Sequence, residues 1–329
     1  MTAPPPPDEA LSANADSGEV PPSAIEPDPA PSSVNADSGG STASLNTSIY
    51  NFPTENGRRY HKFREGSYMY PNDETENERL DLQYELYNMA FGGKRFFAPL
   101  EAPKKILDIG TGTGIWPIEM AETFPDCEII GTDLSPIQPD WVPDNVRFII
   151  DDASEDDWLY PPGSFDYVHT RVLLGCFEDF REIIKKSFKY IKPGGWMESQ
   201  ELFPNPQCDD ETMKPEYPLL EWTKIMDDAA MNFGRPIRIA NKLKKWYLEA
   251  GFEEVHEQVF KVPLNEWPRE PHFKTMGRIN ELNMLQGLQG LSLASMYRVL
   301  GWTQNEIEVY LINVRKALSD REVHGYYKV

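Results

Sequence analysis

Residues 106–116 read ILDIGTGTGIW: an acid, Asp108, sits in an apolar run, then Gly110, Gly112 and Gly114 alternate with Thr111 and Thr113 before the chain turns apolar again. A strand that breaks into glycines and restarts as a helix lets a ligand approach the backbone closely, and nucleotides are the usual occupants of such turns. The spacing excludes two of them. A dinucleotide turn needs glycine at 115, where Ile115 stands, and a triphosphate loop needs Gly-Lys-Ser/Thr where Ile115, Trp116 and Pro117 follow. The same glycines would also serve a tight turn that holds nothing.

Further acids follow at strand ends. Asp133, followed by Leu134, closes CEIIGTD about one βαβ unit downstream, where a carboxylate can accept two ribose hydroxyls. Asp152 and Ala153 close VRFIIDDA, near where an adenine edge would lie, and Asp108 is placed to face a ligand ammonium. Several acids without a phosphate-binding base suit a nucleoside that carries positive charge, as S-adenosyl-L-methionine does. Strand-end aspartates also cap turns and helices, so each has a purely structural alternative. His169, at the end of FDYVHT, is the best placed general base, with Arg171 two residues on to orient an acidic acceptor. A packing histidine and an ion-paired arginine are the competing readings. Glu198 and Glu201 are second choices for the base. A methyl group on a sulfonium is already electrophilic, so in-line placement alone provides much of the acceleration.

These residues need a scaffold that collects strand ends. KKILDIG, CEIIGTD, VRFIIDD, FDYVHT and the strand after Pro193-Gly194-Gly195 are short apolar runs separated by helical stretches, for instance 116–124 and 178–190. That alternation predicts an α/β, doubly wound, Rossmann-like fold, with ligands at the carboxyl ends of its parallel strands. EEVHEQVFKV alternates as a further strand after a helix that ends at Gly251. Residues 57–100 predict an N-terminal cap that is helical in its second half, and 203–236 and 266–322 read as helical insertions into one domain spanning 57–329.

Residues 1–56 differ in kind. Nine prolines fall within the first 31 residues, NADSG occurs twice, and no Lys or Arg precedes Arg58. Such a segment buries too little apolar surface to offset its ordering entropy and is expected to be a disordered acidic tail. The formal charge of −21 disfavours direct binding of nucleic acid. Three cysteines, none in a CxxC pair, point away from a disulfide framework or a metal site. With no signal segment or membrane-length apolar run, the expectation is a soluble protein of the cytoplasm or nucleus.

ILDIGTGTG, IIGTDLSPIQPDWVP, FIIDDASEDDW, SFDYVHTR and IKPGGWMESQE together resemble the successive motifs of a class I S-adenosylmethionine-dependent methyltransferase, and more closely those of the fungal LaeA-like group. NGRRYHKFREGSYMYPNDETENERLDL before the fold and GLSLASMYRVLGWTQNEIEVYLINVRKAL near its end extend the resemblance over residues 56–329. It implies a seven-stranded sheet whose last strand runs antiparallel. It also implies that Gly110, Thr111, Gly112 and Gly114 lie beside the methionine moiety, that Asp133 binds the ribose, and that Asp152 with Ala153 faces the adenine. Tyr60, Arg64 and Tyr68 would close over the cofactor or substrate, or else belong to a solvated, aromatically packed cap. Relatives continue past the position of Val329, so the last strand is expected to be short or the chain truncated. Three functions fit the resemblance: methylation of a small secondary metabolite, regulation of secondary-metabolite genes with a velvet-type partner, and a cyclase that binds the cofactor without transferring methyl.

Overall fold

The computed structural model describes residues 49–329; the expected tail falls almost wholly on residues 1–48, outside the described residues. The folded part starts a few residues ahead of 57, because Thr54–Glu55 pairs with Arg58–Arg59 in a small hairpin. Five apolar segments make a parallel sheet: β1 (Lys105–Ile109), β2 (Glu128–Asp133), β3 (Val146–Ile150), β4 (Phe165–Arg171) and β5 (Ile191–Gln200), in the order β3-β2-β1-β4-β5. The helices are α1 (Glu74–Ala90), α2 (Ile115–Thr123), α3 (Phe180–Tyr190), α4 (Pro218–Phe233), α5 (Leu243–Ala250), α6 (Pro271–Ala294) and α7 (Gln304–Leu318).

Period-two alternation along the strands assigns the faces. Leu107, Ile130 and Val168 pack with Ile183 and Ile184 of α3 and Leu243 of α5. Ile106, Ile129 and Tyr167 pack with Tyr84 of α1 and with Trp116 and Met120 of α2. Helices therefore cover both faces, as doubly wound sheets require.

The expected single sheet of seven strands is instead two sheets. After β5 the chain breaks at Glu201 and Leu202, then forms β6 (Phe203–Cys208), which joins β7 (Lys261–Pro263) and β8 (Gly325–Lys328) in an antiparallel sheet of order β6-β8-β7. The last strand is antiparallel and only four residues long. Residues 203–208 read as part of a helical insertion but form this strand, and Pro204 and Pro206 fit it because β6 lies at a sheet edge. The alternating stretch 253–262 pairs only from Phe260, which exchanges hydrogen bonds with Val329. The rest of the second sheet's cover is helical: Leu219, Leu288, Leu311 and Val314 from α4, α6 and α7 share a core with Tyr327. No helix among the described residues is long and apolar enough to cross a membrane.

Candidate functional site

Parallel pairing sets Gly131, Asp108, His169 and Glu198 side by side across β2, β1, β4 and β5. Asp108 and His169 are buried, and Nδ1 of His169 lies 2.7 Å from Asp108 Oδ1. An ionised carboxylate only accepts, so Nδ1 donates to it, and in the neutral imidazole that leaves the lone pair on Nε2. That Nε2 is buried and has no hydrogen-bond partner. Trp116 stacks on the imidazole with ring centroids 3.9 Å apart and planes 5° from parallel, which fixes its orientation from the other side.

Four of the five backbone amides of the turn, residues 110–114, are spent on the protein. Gly110 and Thr111 donate to Thr132 O at 2.8 and 2.9 Å, Gly112 to Asp133 Oδ2 at 2.9 Å, and Gly114 to Thr111 O at 3.1 Å. A phosphate cradle needs outward-pointing amides, so this turn is not one. Gly110 and Gly112 adopt left-handed φ of 68° and 58° and line a cavity, and a Cβ on Gly110 would stand 2.4 Å from Leu173. Gly114, at φ 82°, lies away from that cavity: it opens α2 beneath Phe148, whose ring a Cβ would strike at 2.4 Å. Asp133 also accepts from Ser135 N at 2.9 Å, and burial still pushes its carboxyl up to about 6.

The cavity, about 280 Å³, runs from these strand ends under the cap and the inserted helices. Asp108, Thr111, Asp133, Leu134, Asp152 and Ala153 all border it on the sheet side, together with His169 and Arg171. Asp152 also caps its own turn through Ser154 N (2.9 Å), so the structural role expected of strand-end aspartates is present as well. Of the three cap residues, only Tyr68 reaches the cavity. Tyr60 packs against Met69 and Ala294 beneath the Arg298 guanidinium, 4.8 Å from its ring. Arg64 is exposed and pairs with Glu155 and, at 3.8 Å, with Asp152, tying the cap to the rim.

Neither second-choice base borders the cavity. Glu198 accepts from Phe97 N (2.8 Å), Ala98 N (3.0 Å) and Tyr167 OH (3.0 Å). Glu201 takes Leu173 N on both oxygens, at 3.0 and 3.1 Å, and burial pushes its carboxyl up to about 8. On the opposite wall the sequence offers the Met, Leu and aromatic residues of 276–300 as an apolar acceptor lining, with helical core the more usual alternative, and Met284 and Leu291 of that stretch border the cavity; its polar part was not legible. Arg79, Gln83 and Asn283 form a buried network there, and Trp222, Met226 and Met284 supply apolar surface. The polar residues come from α1 and α6, up to 204 residues apart, and each reads locally as an ordinary helix position. Gln138 is a further missed residue; it holds the turn by donating to Gly112 O at 2.6 Å.

Residues 82–257 match a family model described as a methyltransferase domain. The chain is 37% identical to a methyltransferase, pytC, of Aspergillus terreus over 93% of its own length and 94% of that protein's. It is 37% identical to the secondary metabolism regulator LAE1 of Cochliobolus heterostrophus, covering 84% and 92% of the two chains. To the protein-methionine methyltransferase laeA of Emericella nidulans it is 33% identical, covering 92% and 82%.

Proposed function

This chain belongs to the methyltransferase family, and from that premise we propose that it methylates a small-molecule acceptor of secondary metabolism with S-adenosyl-L-methionine as donor. The observation that carries the choice of cofactor is the inward-turned glycine turn beside an acid-rich strand edge. Phosphate has no seat there, whereas a cationic nucleoside has Asp108, Asp133 and Asp152.

The residues fit the group. Gly110 and Gly112 leave room at the backbone for the methionyl portion, Asp133 accepts from the ribose hydroxyls with lone pairs that Gly112 and Ser135 do not use, and Asp152 with Ala153 borders the adenine. Asp108 faces the ammonium with the oxygen that His169 leaves free. When bound, the sulfonium supplies an electrophilic methyl group. The helical wall excludes water from the acceptor. His169, held by Asp108 and Trp116, takes the acceptor's proton on Nε2. A cavity lined by Trp222, Met226 and Met284 suits an apolar small acceptor.

The test is to incubate purified protein with cell extract and methyl-labelled S-adenosylmethionine, then separate small molecules from protein. Label in a small-molecule fraction supports the proposal; label confined to protein contradicts it and favours a second reading. That reading is a LaeA-like regulator that modifies a protein, and it draws on the names of two relatives; the velvet-type partner rests on the resemblance alone. With the labelled product in hand, His169→Ala should lower kcat by roughly 10²–10⁴ while leaving S-adenosylhomocysteine affinity nearly intact. A near-normal kcat would assign the rate to placement alone.

A further inference from the structure

Two of the arginines that border the cavity stand in opposite electrostatic conditions. Arg79 makes four hydrogen bonds: to both oxygens of Glu76 (2.9 and 2.6 Å), to Gln83 (2.6 Å) and to Asn283 (2.9 Å). Arg171 makes one, from Nε to Gln200 Oε1 at 2.7 Å. Its Nη1 and Nη2 are both buried and have no partner. The guanidinium lies 4.9 Å from the Tyr84 ring and 5.8 Å from that of Tyr87. Those rings offset part of the lost hydration, yet they give the two terminal nitrogens nothing to donate to. A buried cation with open donors is destabilising until an anion completes it.

The anion's class follows from geometry and charge. A guanidinium presents a planar fork whose natural complement is a carboxylate bound through both oxygens. The other two cavity arginines are committed, Arg79 to Glu76 and Arg235 to the backbone oxygen of Cys176. With the acids of the strand ends nearby, one open guanidinium matches a single negative charge better than a phosphate dianion. The buried hydroxyl of Tyr87, also without a partner, borders the same cavity and can add a third donor. Arg171 is anchored only through Nε, so rotation about its own χ angles can turn the fork to a ligand. Arg79 would have to break four bonds to do the same.

We propose that Arg171 is the seat of a ligand carboxylate in this cavity. Two ligands could bring one: the methionyl end of the cofactor, which rests on the reading given above, or an acidic acceptor. Arg171→Met in the full chain tests both. Without ligand, the melting temperature should hold or rise, because an unpaired buried cation is replaced by an apolar side chain of similar length. A clear fall would mean that the guanidinium serves the fold, and would overturn the proposal.

Calorimetry then compares S-adenosylhomocysteine with 5′-methylthioadenosine, which lacks the amino-acid end. If the cofactor supplies the carboxylate, the variant should bind S-adenosylhomocysteine about 10- to 100-fold more weakly and methylthioadenosine unchanged. If the acceptor supplies it, both affinities should hold, and methyl label entering the anion-exchange-retained fraction of extract should fall at least about tenfold. Equal weakening of both nucleosides, or no change in any of these readouts, would refute the assignment. Failure of wild-type protein to bind methylthioadenosine would count against the cofactor site instead, and Arg171 would then be judged on melting and label alone.

Discussion

The two walls of the cavity differ in whether their polar groups already have partners. On the helical wall most polar groups are paired, the Tyr87 hydroxyl of α1 excepted: Arg79, Glu76, Gln83 and Asn283 satisfy one another, Asn280 donates to Pro263 O at 2.8 Å, and Trp222 to Ser292 Oγ at 2.8 Å. On the sheet wall His169 Nε2, Thr111 Oγ1 and the two terminal nitrogens of Arg171 are buried without partners. Native proteins rarely leave buried polar atoms unpaired, so such atoms gathered in one place mark where a ligand completes the structure. A closed network holds the fold, and an open one awaits its occupant. Substitutions on the two walls should therefore fail in different ways.

The largest expected effect is on the helical wall. Arg79→Met leaves Glu76 as a buried carboxylate without its cation, which should lower unfolding free energy by about 3–5 kcal/mol in chemical denaturation. If that variant instead melted like wild type but lost ligand affinity, the division between the walls would be wrong. Glu201 sharpens the contrast, because it is bonded to Leu173 N and yet pushed up to about 8 by burial. Its folded-state value lies above its unfolded one, so the folded chain holds a proton that the unfolded chain has already released. Its contribution is complete below the unfolded value and is lost as pH rises toward about 8. Wild type should thus lose roughly 2 kcal/mol more than Glu201→Gln between about pH 6 and about pH 8. Denaturation curves with the same pH slope for both proteins would show that Glu201 is ionised throughout.

The sheet wall was largely legible because it is built from local patterns. Strand, glycine turn and closing acid occupy a few consecutive residues each, and parallel pairing then brings Asp108, His169 and the end of β2 to one edge. What pattern could not tell was which glycine meets the cavity and which only packs, since Gly114 shares its spacing with Gly110 and Gly112. The polar network of the helical wall escaped for a different reason. Arg79 and Asn283 stand 204 residues apart, and an arginine or asparagine on an amphipathic helix reads as solvated until its partner is known. Tyr60 and Arg64 stand off the cavity, as the alternative of a packed, solvated cap has it, because resemblance assigns a segment to the site without saying which of its side chains turn inward. The strand count failed at Glu201 and Leu202, where a break that no periodicity signals divides the sheet.

The smallest of these effects is also the most telling. Asp133 is one of the open wall's acids, pushed up to about 6 by burial, and its ionised form is the stronger acceptor for two ribose hydroxyls. Titration calorimetry of S-adenosylhomocysteine into wild type should give micromolar affinity, on the order of −8 kcal/mol, that weakens as pH falls through about 6. Asp133→Ala should bind about tenfold more weakly at neutral pH and show no such pH step. Wild-type affinity in Asp133→Ala, with a flat pH profile in both proteins, would contradict the claim that this strand edge holds the cofactor.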